Sequence, residues 1–187
     1  MNKQNELRDI LIEKILKIEL EMFQNVRSRG YASCQEQPEA FRMMRWMGHS
    51  VLSDETLGSY LDDLKQARKV SRNLMTEKYA RMEGIIPAIK EDPRITEIID
   101  EIAEVEKNWM LEFSEKYPGI SRGGGEGFSL YLKSELETYS DRTLEFYHRD
   151  VMAAKEQGDN LAEKSYTNLF LRLGYESLDD VVRQTKS

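Results

Sequence analysis

The sequence predicts an all-α protein, a helical bundle of two pseudo-symmetric, internally duplicated halves within a single domain. Apolar residues recur at three- and four-residue spacing through most of the 187 positions, and no segment alternates apolar and polar residues as a half-buried strand would. Four prolines and 33% charged residues fit helices with solvated outer faces. The chain also repeats itself 87 positions on. Laid over Ser140–Leu169, the segment Ser53–Met82 is identical at 10 of 30 positions, among them Ser53/Ser140, Asp63/Asp150, Asn73/Asn160 and Tyr79/Tyr166. Unrelated chains of ordinary composition share roughly two. The register extends back through Phe41/Phe128 to Glu19/Glu106. Duplication implies a pseudo-twofold axis, and the seam between the halves is the first place to look for a site.

The elements follow in order. Leu7–Val26 has a helical apolar stripe and ends at Arg29-Gly30. A polar loop leads to a second helix over Pro38–His49. Ser53 or Asp54 caps a third helix to about Val70, and Asn73 caps a fourth to about Gly84. Pro87 and Pro93 bracket the joint, so the halves are 1–84 and 95–187 with a linker over 85–94. The second half repeats the plan. Ile95–Lys116 ends at Tyr117-Pro118-Gly119, a glycine-rich loop follows, and Phe128–Tyr139 is its second helix. Ser140 or Asp141 opens the next helix, Asn160 the one after, and a short helix begins near Leu178.

Charge and composition exclude several functions. The net charge is −7, with no basic stripe to neutralise phosphates, so nucleic acid is not an expected partner. Charges interrupt every apolar run, so no membrane span is expected. Residues Met1–Glu6 hold no apolar signal core, and the single cysteine, Cys34, suits a reducing cytoplasm. The expected protein is cytoplasmic, and no motif requires a cofactor.

The informative residues are polar ones on apolar faces. At about 100° per residue, Glu19 falls near the centre of an arc with Leu11, Ile15, Ile18, Met22 and Val26. Glu106 falls at the equivalent place among Ile99, Ile102, Val105, Trp109 and Phe113. A buried, unpaired carboxylate costs several kcal/mol, so both glutamates need partners. The second helix of the first half offers Arg45 and, one turn earlier, Arg42; that of the second half offers Glu135. Tyr60 and Tyr147 add repeated phenols on apolar faces. These residues have two readings. They are buried ion pairs that fix how the halves dock, or they face a polar pocket at the seam. In the pocket, Arg42 and Arg45 anchor an anionic group, and Tyr60 and Tyr147 donate hydrogen bonds. Glu19, Glu106 and Glu135 hold an ammonium or act as acid and base.

The expected function is therefore binding of a small, amino-acid-like polar metabolite, with elimination or isomerisation as the chemistry needing fewest further parts. A rival is a regulatory or scaffolding helical protein without a pocket. A third is a carboxylate-rich metal site, but Glu145-Phe146-Tyr147-His148 is a single Glu-x-x-His, with Gly58 at the position matching Glu145. Cys34 reads as an idle thiol. The run Arg122-Gly123-Gly124-Gly125-Glu126-Gly127 follows a helix and lacks the phosphate-loop ending, so it reads as a lid or linker.

The strings Glu19-Leu20-Glu21-Met22-Phe23, Ala32-Ser33-Cys34-Gln35 and Phe41-Arg42-Met43-Met44-Arg45 resemble an uncharacterised prokaryotic family, domain of unknown function four-one-two-five. Leu74–Met82, Glu115-Lys116-Tyr117-Pro118 and Glu135–Ser140 carry the same resemblance. It covers nearly the whole chain and implies a stand-alone prokaryotic protein. It brings no activity to carry over.

Overall fold

The structure is a computed structural model, and it describes residues 3–26, 37–121 and 126–185. Cys34 and most of the glycine-rich loop, residues 122–125, lie outside the described residues. Nine helices make up the fold among the described residues, with no strand and one isolated bridge between Pro118 and Ser121. The all-α expectation holds.

The helices are α1 Lys3–Gln24, α2 Pro38–His49, α3 Asp54–Lys69, α4 Leu74–Met82, α5 Pro93–Lys116, α6 Glu126–Leu136, α7 Asp141–Glu156, α8 Leu161–Arg172 and α9 Leu178–Thr185. Their starts follow from side chains that accept otherwise unpaired N–H groups. Ser53 accepts from the Thr56 N–H and Ser140 from the Thr143 N–H. Asn73 accepts from Thr76 and Asn160 from Glu163. Both asparagines also donate backward, Asn73 to the Met22 carbonyl on α1 and Asn160 to the Trp109 carbonyl on α5. One residue thus opens a helix and ties it to the long helix before it.

Three helices have ends that differ from the sequence expectation, α1 also beginning earlier, at Lys3 rather than Leu7. α1 ends at Gln24 rather than Val26, because the Asn25 amide bonds the Glu21 carbonyl and takes over an end the helix would otherwise leave open. α5 begins at Pro93 rather than Ile95, where Asp92 accepts the Arg94 N–H and proline suits the first turn. α6 spans Glu126–Leu136 rather than Phe128–Tyr139, because Thr138 folds its hydroxyl onto the Glu135 carbonyl and turns the chain.

Packing runs outward from two long helices. α1 lies against α2, α3 and α4, and α5 lies against α6, α7 and α8. The two groups of helices also meet: α3 packs on α7, α4 on α6, and α2 on α8. The main core joins Ile12, Ile15, Leu16, Leu57 and Leu64 to Ile95, Ile102, Leu136, Leu144 and Val151. A smaller cluster of Phe113, Tyr117 and Leu178 seats α9 near the end of α5. At the α3–α7 contact, Asp150 accepts the Ser53 N–H at 2.9 Å and Asp63 accepts the Ser140 N–H at 2.9 Å. The Ser59 and Thr143 hydroxyls meet at 2.7 Å in the same contact.

Candidate functional site

The apolar face of α1 turns Glu19 inward, where it is 0% exposed. Its carboxylate is surrounded by donors. Arg45 of α2 grips it with Nε at 3.1 Å and Nη2 at 2.5 Å. His49, one turn further along α2, brings Nε2 to 3.2 Å from both oxygens. Tyr60 of α3 donates its hydroxyl to Oε1 at 2.8 Å. Burial would push the Glu19 carboxyl up, but Arg45 and then His49 outweigh it and hold the pKa at about 2. Because an ionised carboxylate only accepts, Nε2 of His49 carries the proton in this contact.

Arg45 is shared. Its Nη1 reaches Glu135 Oε2 at 3.1 Å, and its Nη2 lies 2.7 Å from Glu135 Oε1. Lys78 of α4, 1% exposed, donates to Glu135 Oε2 at 2.6 Å, and Tyr139 donates to Oε1 at 2.8 Å. The Lys78 ammonium also stands 3.4 Å from the ring centre of Tyr131. Burial opposes ionisation of Glu135, yet Arg45 and Lys78 keep its carboxyl well below the ordinary range. Burial lowers the Lys78 ammonium, with Glu135 opposing the fall. Two carboxylates therefore balance two cations in the chain Glu19–Arg45–Glu135–Lys78, which runs through α1, α2, α6 and α4.

A cavity of about 360 Å³ adjoins this chain between α2, α5, α6 and α8, within the size range of small-molecule sites. Arg45, His49, Glu135 and Tyr139 form its edge toward the ion network. Met47, Leu52, Met110, Phe128 and Leu132 supply apolar wall. Glu106 of α5 also faces it, partly exposed, with Tyr147 of α7 donating to Oε1 at 2.5 Å. Among the described residues no cationic side chain pairs with Glu106. Burial raises its carboxyl to about 7, with the Glu135 charge adding to the rise and the Tyr147 hydrogen bond opposing it. The Tyr147 phenol is itself pushed well up, by burial and then by Glu106. At neutral pH this pair offers a carboxyl present in both protonation states beside a hydroxyl that keeps its proton.

The structure brings Arg45, Glu106, Glu135 and Tyr147 together at the cavity. Glu19 and Tyr60 are outside its lining and bond to one another next to Arg45 and His49. Glu19 and Glu106 do not meet; each has its own tyrosine. Arg42 is elsewhere. It pairs at 2.5 Å with Glu13, nearer the start of α1, on the outer side of α2. His148 likewise pairs with Glu101 at 2.6 Å near the surface. Among the described residues no group of three or more His, Cys, Asp or Glu side chains is arranged to hold a metal ion. Lys78 is the residue that sequence reasoning passed over. It shares the inward face of α4 with Leu74, Met75 and Tyr79, the same signal that marked Glu19.

The fold and the site define an all-α protein with a buried, charge-balanced ion network beside a cavity that presents one further carboxyl. The chain belongs to the family described as "Protein of unknown function (DUF4125)", whose model matches residues 9–183. No curated protein and no solved structure matches it. No helix among the described residues is long and apolar enough to cross a membrane.

Proposed function

We propose that this chain is a cytoplasmic protein of two pseudo-symmetric halves that binds a small organic molecule in the cavity between α2, α5, α6 and α8. In this proposal Glu106 exchanges a proton with the bound molecule, and Tyr147 steadies its carboxyl by a hydrogen bond. The observation that carries it is the Glu106 carboxyl, which faces the cavity with Tyr147 on one oxygen and a raised pKa of about 7. A carboxyl poised near neutrality serves as base or acid without further activation. Elimination or isomerisation next to an acidified C–H bond is the chemistry that such a carboxyl performs unaided. The apolar walls supply binding, and the ion network supplies a rigid edge. The paired bonds of Ser53 to Asp150 and Ser140 to Asp63, at positions 87 apart, support the duplicated organisation. The net charge of −7 and the single cysteine support the compartment.

The test is a thermal-shift screen of the purified protein and its Glu106→Gln variant against amines, amino acids, organic acids and neutral compounds. A ligand that binds only the native state raises apparent stability by about 2.7 kcal/mol at a hundredfold excess over Kd. The expected result is stabilisation of the wild-type protein by one class of compound, weakened in Glu106→Gln. Stabilisation by none of them removes the binding function and leaves a scaffolding protein.

A further inference from the structure

We infer that the cavity takes a cationic amine with an apolar body, its ammonium set against Glu106; this inference rests on the binding function proposed above and specifies its ligand. Each residue around Glu19 has a counterpart 87 positions on. Glu19 has three partners: Tyr60, Arg45 and His49. At the corresponding positions Glu106 has Tyr147, Leu132 and Leu136. The tyrosine is kept and donates as its counterpart does. The arginine and the histidine are replaced by leucines. Glu106 is thus a buried-face carboxyl that retains its neutral donor and lacks a cation among the described residues.

Space follows the same pattern. Around Glu19, Phe23 and Phe41 stack with ring centres 4.3 Å apart, and Lys78 extends along α4 to reach Glu135. Their counterparts are Met110, Phe128 and Ser165, and all three line the cavity. Ser165 turns its hydroxyl back to the Ala162 carbonyl at 2.8 Å, so it offers nothing to Glu106. Where one side of the molecule places the four-carbon stem of Lys78, the other has a short serine and a cavity, and where Arg45 meets Glu19 the other has a leucine beside Glu106. An amine with an apolar stem restores both the volume and the charge.

Anionic ligands fit poorly. Arg45 already holds Glu19 and Glu135, and Lys78 holds Glu135, so neither cation is available to a carboxylate. Glu106 and Glu135 at the lining would repel one. This removes the role expected for Arg45 as an anchor of amino-acid carboxylates and leaves the amine as the recognised group.

Titration calorimetry with 2-phenylethylamine, 2-phenylethanol and phenylacetate tests the inference, since the three share a skeleton and differ in charge. The amine should bind the wild-type protein about tenfold or more tighter than the alcohol, the margin of one charge-assisted contact. The acid should bind more weakly than the alcohol. Glu106→Gln should abolish the preference for the amine and leave the alcohol unchanged. Leu132→Arg, which supplies a cation at the position equivalent to Arg45, should lose amine binding; should it fail to fold, Glu106→Gln still decides. An alcohol or acid that binds as well as the amine, or an amine preference that survives Glu106→Gln, overturns the ligand class and leaves the cavity as a binding site. Binding of none of the three overturns both.

Discussion

The Tyr147 hydroxyl donates to the Glu106 carboxyl over 2.5 Å, between α7 and α5 at the wall of the cavity. That single bond does not offset the cost of burial, and the Glu106 carboxyl stays at about 7 against an ordinary 4.5. Groups from other elements share the cavity with it: Glu135 and Tyr131 of α6, Arg45 and His49 of α2, and Tyr166 of α8. The sign of the linkage is set by the raised value. Below pH 4.5 the carboxyl is protonated whether the chain is folded or not, and it costs nothing. As pH rises from 4.5 to 7 the unfolded chain ionises first, and stability falls; above 7 the loss is complete. Between pH 5 and pH 8 the expected loss is roughly 2 kcal/mol. Glu106→Gln should remove that slope and make the protein more stable than wild type at pH 8. Urea unfolding at the two pH values measures it, and equal slopes for both proteins would show that Glu106 is not held neutral.

Glu19 responds in the opposite direction. Its folded value of about 2 lies below the ordinary 4.5, so its contribution is present above pH 4.5 and is lost as pH falls toward 2. Removing it leaves Arg45, His49 and Tyr60 short of an acceptor inside the core. Glu19→Ala should therefore cost about 3–5 kcal/mol, the penalty of breaking a buried ion pair from one side. Chemical denaturation at pH 7 reads this directly. A cost under about 1 kcal/mol would mean that Glu135 and water satisfy Arg45 without Glu19.

Much of this site was legible because buried charge is costly and leaves a mark on helical periodicity. Glu19 and Glu106 stood out as the polar members of apolar arcs, and Arg45 and Glu135 as the ionic residues of the helices nearest them. The helix starts were legible in Ser53, Asn73, Ser140 and Asn160, since capping is a local property. Arg42 was misplaced because a spacing of three residues puts two arginines near one face without fixing which is nearer the core; the ion pair with Glu13 settles it. Which carboxylate each cation chooses is not a local property. Arg45 reaches Glu135 across 90 positions and Lys78 reaches it across 57, and only the packing of α2 and α4 on α1, with α4 on α6, brings them together. The cavity too was invisible, because its lining comes from helices far apart in the sequence that only packing brings together.

The contact between α3 and α7 rests on two aspartates at opposite helix starts. Asp150 accepts the Ser53 N–H at 2.9 Å and the Thr56 hydroxyl at 2.5 Å. Asp63 accepts the Ser140 N–H at 2.9 Å. Each carboxylate faces the positive end of the partner helix, where it satisfies an N–H and meets the helix dipole. Asp150→Ala and Asp63→Ala should each cost about 1–2 kcal/mol. They touch different groups, so the double variant should cost about the sum. A double-mutant cycle checks this, and a double variant no worse than either single one would show that the contact fails as a unit.

The ends of α3 and α7 set up a comparison within one molecule. After α3 the Arg72 N–H reaches back to the Ala67 carbonyl at 2.8 Å, and after α7 the Asp159 N–H reaches back to Ala154 at 2.9 Å. Both turns need a left-handed residue just past the helix. α7 uses Gly158, at φ +72°, whereas α3 uses Ser71, at φ +58°. A side chain in that conformation crowds its own carbonyl and costs about 1–2 kcal/mol, which glycine avoids. Ser71 is exposed and makes no packing contribution to lose. Ser71→Gly should therefore stabilise the protein by about 1 kcal/mol, even though glycine raises the entropy of the unfolded chain. Gly158→Ser should destabilise it by a similar amount. A Cβ at Gly158 meets nothing within 4 Å, so the cost there is conformational and not steric crowding by neighbours. Thermal unfolding of the two variants should move Tm in opposite directions, and a fall in Tm for Ser71→Gly would mean that chain entropy outweighs the relief of strain.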